Sequence, residues 1–296
     1  MQPTDLRADL RADLRARAEA LGQSLPALLA EADQLARSVQ LGAHGRRRAG
    51  QGDEFWQYRP AHAGDAARSI DWRRSARSDT HFVREREWQA VQSVTLWVDR
   101  ARAMGFSGDA NRPAKADRAR LLALALAVLL LRGGERVGLA GGDPPRPGRA
   151  QLMPLLAQLD GDAPEDFGAP LTTGLVPHGR AVFLSDFLGP LPPLEAALAE
   201  ATEQGVRGAL LQVLDPAEEE FPFGGRVIFA SMGGTLSHET QSAAELRARY
   251  LDRLAERKAR LADLARSAGW HFSTHHTGQP AQSALLWLYQ ALEGGR

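Results

Sequence analysis

The chain has 296 residues, enough for one large buried core plus an accessory region. Its 36 basic and 36 acidic residues cancel, which argues against a dedicated nucleic-acid or membrane-surface protein. With no cysteine, disulfides, thiolate catalysis and cysteine-based zinc sites are excluded together.

The amino-terminal stretch opens on a four-residue quasi-repeat, Asp5-Leu6-Arg7-Ala8, Asp9-Leu10-Arg11-Ala12, Asp13-Leu14-Arg15-Ala16, which sets Leu6, Leu10 and Leu14 along one helical stripe. Three leucines fall short of the heptads a coiled coil needs, so a helix packed on the domain or a fraying arm is the better reading. The stretch has no apolar core of signal-peptide type. Pro26 breaks the pattern, and Ala27 to Val39 reads as a second helix. Residues 1–44 are thus expected to form a helical extension. His44 to Gly52 reads as a basic, Gly-rich linker carrying Arg46, Arg47 and Arg48. A triple arginine beside glycines suits a phosphate backbone, although a solvated linker is the commoner outcome.

From Phe55 to Trp88 short strands are predicted, with turns at Gly64-Asp65 and Ser78-Asp79. Asp71 stands next to Trp72, with Arg68, Arg73, Arg74 and Arg77 nearby in sequence. This predicts a carboxylate held by guanidinium forks under an indole. Such a cluster fixes a loop first; the alternative is a protein-contact surface, since Arg and Trp are over-represented at hot spots.

Val91 to Val98 is an apolar run ended by Asp99, which reads as a strand buried on both faces whose polar end emerges at the edge of a sheet. In open parallel sheets, sites form beyond the carboxyl ends of the strands where the strand order reverses. A long buried helix follows over Pro113 to Leu131, then a strand over Glu135 to Ala140 and a turn at Gly141 to Pro145. A short edge strand is expected near Arg149 to Met153, a helix over Pro154 to Leu159, and a loop from Asp160 to Pro177. Arg180 to Ser185 reads as a buried strand ending at Asp186, Leu194 to Gln204 as a helix, and Val206 to Leu214 as a strand. Gly225 to Leu236 reads as a hairpin with Gly233-Gly234 at its tip, and His238 to Ala268 as the longest helix. A last strand over Trp270 to Ser273 and a helix over Ala281 to Leu292 complete the pattern. Strands alternating with helices predict an α/β fold with a mostly parallel central sheet. The longest apolar run, Leu121 to Leu131, is shorter than the roughly 20 residues that cross a bilayer, so a soluble cytoplasmic protein is expected.

A group of short motifs carries a family resemblance. Tyr58-Arg59-Pro60, Gly64-Asp65, Arg68, Ile70-Asp71-Trp72, Ser75-Ala76-Arg77, Val83-Arg84-Glu85, Val98-Asp99 and Met104 form its dense part. Ser185-Asp186-Phe187 and Leu214-Asp215-Pro216-Ala217-Glu218 continue it more thinly. Together they resemble the bacterial family called domain of unknown function 58. The resemblance implies a signature region over 45–90 and a von Willebrand factor type A-like, Rossmann-like domain over 91–296. Type A domains of this kind hold a divalent cation through Asp-x-Ser-x-Ser after the first strand, helped by a Thr and by an Asp after the fourth. Here the matching run is Asp99-Arg100-Ala101-Arg102-Ala103, so alanine stands at both serine positions, Ala101 and Ala103. Asp99 and Asp186 remain, with Thr172 or Thr173 as a weak helper. Magnesium wants hard oxygens in octahedral array, so the resemblance implies a degenerate metal-ion-dependent adhesion site holding Mg²⁺ weakly at most. Two carboxylates left together raise one another's pKa and call for a counter-charge. Arg102 is one candidate for it; Arg100 is expected to face solvent.

Other chemistry is absent from the sequence. Neither lysine, Lys115 nor Lys258, follows a glycine, so no P-loop is present. Gly105-Phe106-Ser107-Gly108 lacks the spacing of a nucleophile elbow. His271, His275 and His276 read as a strand-end cluster rather than a zinc site, and Asp215, Glu218, Glu219 and Glu220 as a solvated acidic loop. No catalysis is expected. The resemblance implies a protein-protein interaction module, an adaptor or co-chaperone of a MoxR-type AAA+ ATPase. Its candidate contacts are Asp99, Arg102, Asp186, Asp71, Trp72, Arg73, Arg74 and Arg77. The alternative is a nucleic-acid-binding accessory domain using the Arg-rich segments 46–48 and 73–77. No membrane partner and no small-molecule substrate is evident.

Overall fold

A computed structural model describes residues 27–39, 46–50, 54–62, 70–76, 80–234 and 237–293. The Asp-Leu-Arg-Ala repeats, Arg68, Arg77 and the predicted turns at Gly64-Asp65 and Ser78-Asp79 lie wholly or partly outside the described residues. The chain divides into two compact units, one over 43–92 and one formed by the rest.

Helix α1 (27–38) belongs to the larger unit, where Ala32, Ala36 and the following Val39 join the main core cluster. The smaller unit holds β1 (Arg46–Gly50), β2 (Glu54–Pro60), the single turn of helix α2 (Trp72–Ser75) and β3 (Phe82–Ala90). The central strand β3 pairs antiparallel with both others. The triple-arginine segment is therefore a strand and not a linker, registered from Arg46 opposite Ala90 to Gly50 opposite Arg86. β-Ladder pairing has overridden the loop signal of its glycines.

The larger unit runs β4 (Ser93–Val98), α3 (Lys115–Arg132), β5 (Arg136–Leu139), α4 (Leu152–Leu159), β6 (Arg180–Ser185), α5 (Pro192–Glu203), β7 (Arg207–Leu214), α6 (Pro216–Glu220), β8 (Val227–Ala230), β9 (Ser237–Thr240), α7 (Ala243–Ser267), β10 (His271–His276) and α8 (Ala281–Glu293). Five strands form a wholly parallel sheet in the order β10-β7-β6-β4-β5. Counted along the chain this is 2-1-3-4-5, a doubly wound order that reverses between β4 and β6.

Strand alternation divides the core between the two faces. Val94, Leu96, Val182 and Leu184 point to a cluster shared with α1, α3, α4 and α8. Trp97, Ala181 and Phe183 point to the other, shared with α5 and α7. Within α3, residues 122–130 are at most 1% exposed, because this helix lies between the sheet and the helices outside it. Among the described residues no helix is long and apolar enough to cross a membrane.

In the larger unit three elements differ from the sequence expectation. No edge strand forms near Arg149 to Met153: Arg149–Gln151 is a 3-10 turn leading into α4, whose Leu152, Leu155, Leu156 and Leu159 bury one helical face. The edge of β5 instead exchanges two hydrogen bonds between Val137 and Arg146, each 3.1 Å, and the Leu139 carbonyl accepts from the Gly142 N–H at 3.1 Å. Gly138 is required there, since a Cβ would meet the Pro145 backbone at 2.9 Å. The hairpin reaches Thr240, so α7 starts at Ala243 and His238 sits in a strand. The acidic segment after Asp215 is not a loop but α6.

Candidate functional site at the carboxyl edge of the sheet

Each of four neighbouring strands hands the chain to a buried polar residue: β4 to Asp99, β6 to Asp186, β7 to Asp215 and β10 to Thr277. Asp99 and Asp186 flank the reversal point between β4 and β6, where a parallel sheet opens its crevice. Both are nearly inaccessible, at 3% and 2% exposed.

Asp99 is surrounded by protein donors. Its Oδ1 accepts from the Ala101 N–H at 2.8 Å and its Oδ2 from the Ser185 hydroxyl at 2.7 Å; the Gly168 N–H donates as well. Burial pushes its carboxyl above the usual carboxylate range, and the charge of Asp186 adds to this, against those donors. Gly168 is the close approach that makes the pocket fit, because any Cβ at that position would run into the Asp99 carboxylate.

Asp186 is held differently. Its Oδ1 accepts from the Leu188 N–H at 3.0 Å, while its Oδ2 takes the Lys115 ammonium at 2.7 Å. The same ammonium donates to Glu218 Oε1 at 2.6 Å. The counter-charge demanded by the two aspartates is therefore Lys115, 1% exposed, and not Arg102. Arg102 is exposed and its guanidinium reaches the Gly233 carbonyl at 3.5 Å. Arg100 is also exposed, ending on the carbonyls of Gln158 and Asp160.

Lys115 opens α3, a position where the helix dipole disfavours a cation. Burial disfavours it further, yet Asp186 and Glu218 more than offset both and hold the ammonium pKa above its ordinary value. Glu218 reaches Lys115 from α6 through a capping box. The Asp215 carboxylate accepts from the Ala217 N–H at 2.8 Å, and Glu218 Oε2 accepts from the Asp215 N–H at 2.8 Å. Burial raises the Glu218 carboxyl despite the ammonium beside it. For Asp215 the balance is reversed: burial is outweighed by the N–H groups of Ala217 and Gly108, the Thr277 hydroxyl and Arg112, so its pKa is lowered. Gln212, buried in β7, ties the network to its neighbours, donating to the Asp186 carbonyl and accepting from the Thr274 hydroxyl.

The remaining sequence candidates fall elsewhere. Ala101 is buried and Ala103 half-buried; the backbone of the Asp99 to Ala103 loop pairs with 163–166 through Ala163, Arg102 and Ala103. The segment holding Thr172 and Thr173 turns against the end of β5, where the Thr173 carbonyl accepts from the Gly141 N–H at 2.8 Å. Asp71 caps α2, accepting from the Arg74 N–H at 3.0 Å and from the Tyr58 hydroxyl at 3.1 Å. Trp72 is 56% exposed and meets His81 edge-on rather than covering Asp71. The Arg74 guanidinium stacks 4.2 Å from the Tyr58 ring centroid, and Arg73 is exposed. The histidines divide: His271 is exposed, His276 faces Glu219, and buried His275 accepts from Arg118, so its imidazole is neutral. Among the described residues no three His, Asp or Glu side chains are grouped to hold a metal ion.

Lys115, Ser185, Gln212, Asp215 and Glu218 are site residues that the sequence did not point to as such. One signal was available for the first: among 36 basic residues only two are lysines, and one stands just ahead of the longest apolar run, Leu121 to Leu131.

A doubly wound parallel sheet with a closed carboxylate and ammonium network at its reversal point defines an α/β protein with its candidate site at the strand ends. The family model described as "Protein of unknown function DUF58" matches residues 57–260, and the chain belongs to that family. Uncharacterized proteins of Mycobacterium tuberculosis and Mycobacterium bovis are 28% identical over 236 residues, covering 74% of this chain and 73% of theirs. Among solved structures, the conserved hypothetical protein BatB of Bacteroides thetaiotaomicron is similar over 69% of this chain and 98% of its own, with a TM-score of 0.40 at 14% identity. An aerotolerance-related membrane protein of Bacteroides fragilis is similar over the same shares, with a TM-score of 0.37 at 14% identity.

Proposed function

We propose that the chain is a non-catalytic interaction module built on a von Willebrand factor type A-like domain, with Lys115 standing in for the cation. The observation that carries this reading is the buried Lys115 ammonium, bonded at once to Asp186 and Glu218. Magnesium needs about six hard oxygens in a near-ideal octahedron. Here Ala101 and Ala103 bring none, and the oxygens of Asp99 and Asp186 are already spent on protein donors. The residues do not fit a tight divalent ion. Nor do they fit a nucleophile: the one amine is protonated and enclosed, and the Ser185 hydroxyl is buried against Asp99.

In this reading the network holds the rim of the sheet in one shape for a protein partner to recognise. The partner is a MoxR-type AAA+ ATPase in a cytoplasmic setting, with the chain as its adaptor or co-chaperone; support for that class is the family resemblance. Exposed Arg102 on the larger unit and exposed Trp72 and Arg73 on the smaller are the contacts of hot-spot type. Co-purification of the full chain with such an ATPase tests the proposal, with Arg102→Glu and Trp72→Ala each expected to weaken the complex about tenfold or more. Absence of any complex at low salt refutes it.

A further inference from the structure

A second feature of the carboxyl edge lies beyond the carboxylate network. The β8-β9 hairpin, the turn after α6 and the first half of α7 enclose an open cavity of about 530 Å³, within the range of small-molecule sites. Phe106, Phe221, Phe223, Phe229 and Tyr250 form its walls. Phe221 and Tyr250 stack with ring centroids 5.0 Å apart, and Phe223 meets Phe229 edge-on at 5.4 Å.

Three observations give this cavity a chemical preference. Phe221 holds a left-handed backbone, φ 43°, which a bulky residue adopts only where its surroundings enforce it, and such outliers gather at ligand sites. Arg249 and Arg253, one turn apart on α7, line the cavity with neither a hydrogen bond nor an ion pair among the described residues. The Tyr250 hydroxyl likewise makes no hydrogen bond among them. Two free guanidinium forks and a free phenol around an aromatic floor suit one kind of molecule, an apolar body ending in an anion. Glu218 also lines the cavity, but its carboxylate is paired with Lys115, so the two forks on α7 are left for the ligand and match the two oxygens of one carboxylate.

We propose that this cavity is a binding site for amphipathic monocarboxylates, with the apolar body among the phenylalanines and the carboxylate on Arg249 and Arg253. The carboxylate belongs either to a free acid or to the terminal residue of a polypeptide. The site stands whether or not the chain serves an ATPase.

The test uses the full chain and 4-(1-naphthyl)butyrate, followed by calorimetry and ligand fluorescence. About sixteen heavy atoms at ordinary ligand efficiency give a dissociation constant on the order of 0.3 mM. The corresponding amide is expected to bind about tenfold more weakly, and so is the acid to the Arg249→Ala, Arg253→Ala double variant, since charge-assisted hydrogen bonds are lost. Both arginines are exposed, so the double variant folds as the parent does. A tetrapeptide ending in Phe with a free carboxylate, set against its carboxamide, separates the two sources. Tight binding of the free-terminus peptide alone assigns a chain end; binding of the naphthyl acid without the peptide assigns a free acid. Equal affinity for acid and amide, or no effect of the double variant, overturns the proposal.

Discussion

Replacing Lys115 by Met keeps the length of the side chain and removes its charge. The ammonium is 1% exposed and lies 2.7 Å and 2.6 Å from two carboxylates. Breaking a buried pair from one side costs about 3–5 kcal/mol, and here two anions lose the same partner. Against a total stability of about 5–15 kcal/mol, that is a large share. The loss also has a pH signature. Without the ammonium, the Glu218 carboxyl, already raised by burial, rises further above its unfolded value. A raised folded pKa means that the native state binds the proton more tightly than the unfolded chain, so acidification returns stability to the variant. Urea unfolding followed by circular dichroism at pH 8 and pH 5.5 reads both effects. The deficit is expected to be largest at pH 8 and to shrink at pH 5.5. Parent and variant within about 1 kcal/mol at pH 8, or a deficit that grows on acidification, refutes the role given to Lys115.

Three further outcomes follow from the same geometry. Burial, with Arg118 and His276 beside it, lowers the His275 pKa to about 4, so between pH 6.5 and that value the unfolded chain binds more protons and stability falls as pH falls. Set against the opposing gain from the raised Asp99 and Glu218 carboxyls, the parent is expected to lose up to about 3 kcal/mol more stability than His275→Gln between pH 7 and pH 4.5, read from thermal midpoints. Gly168→Ala drives a methyl into the Asp99 carboxylate and is expected to cost about 1–3 kcal/mol in urea unfolding; a neutral result places the 168 loop away from Asp99. Magnesium at about 1 mM is expected to leave the thermal midpoint of the parent unchanged and to raise that of Lys115→Met, whose two carboxylates then lack a cation; a clear rise in the parent defeats the degenerate-site reading.

The fold was legible wherever burial is strong enough to write itself into periodicity. Val94 to Val98 and Arg180 to Ser185 are short apolar runs because both faces of a central parallel strand are covered. The apolar circumference of α3 likewise announced a helix with neighbours on every side. Asp99 and Asp186 stood out because a carboxylate directly after such a run has few places to go. Lys115 did not, since a lysine in the first turn of a helix normally extends into solvent, and only the arrival of Asp186 and Glu218 from distant strand ends encloses it. Asp215-Pro216-Ala217-Glu218 carried a capping-box spacing, yet four acids close together read as a solvated loop. Sequence spacing shows which residues share a helical turn; it does not show which turns meet across a sheet. For the same reason Arg46 to Arg48 looked like a linker, because the partner that makes them a strand lies some forty positions later.

The turn after β5 has a consequence for how these molecules meet one another. An uncovered border strand is a template on which a second chain can add its own, the first step toward fibrils. On this border the outward N–H and C=O of Val137 and the C=O of Leu139 are already taken by Arg146 and Gly142, and Pro145 lies against Gly138 with no N–H to offer. Shortening the loop through Pro144 and Pro145 would uncover those groups and give the molecule a sticky flank on that side.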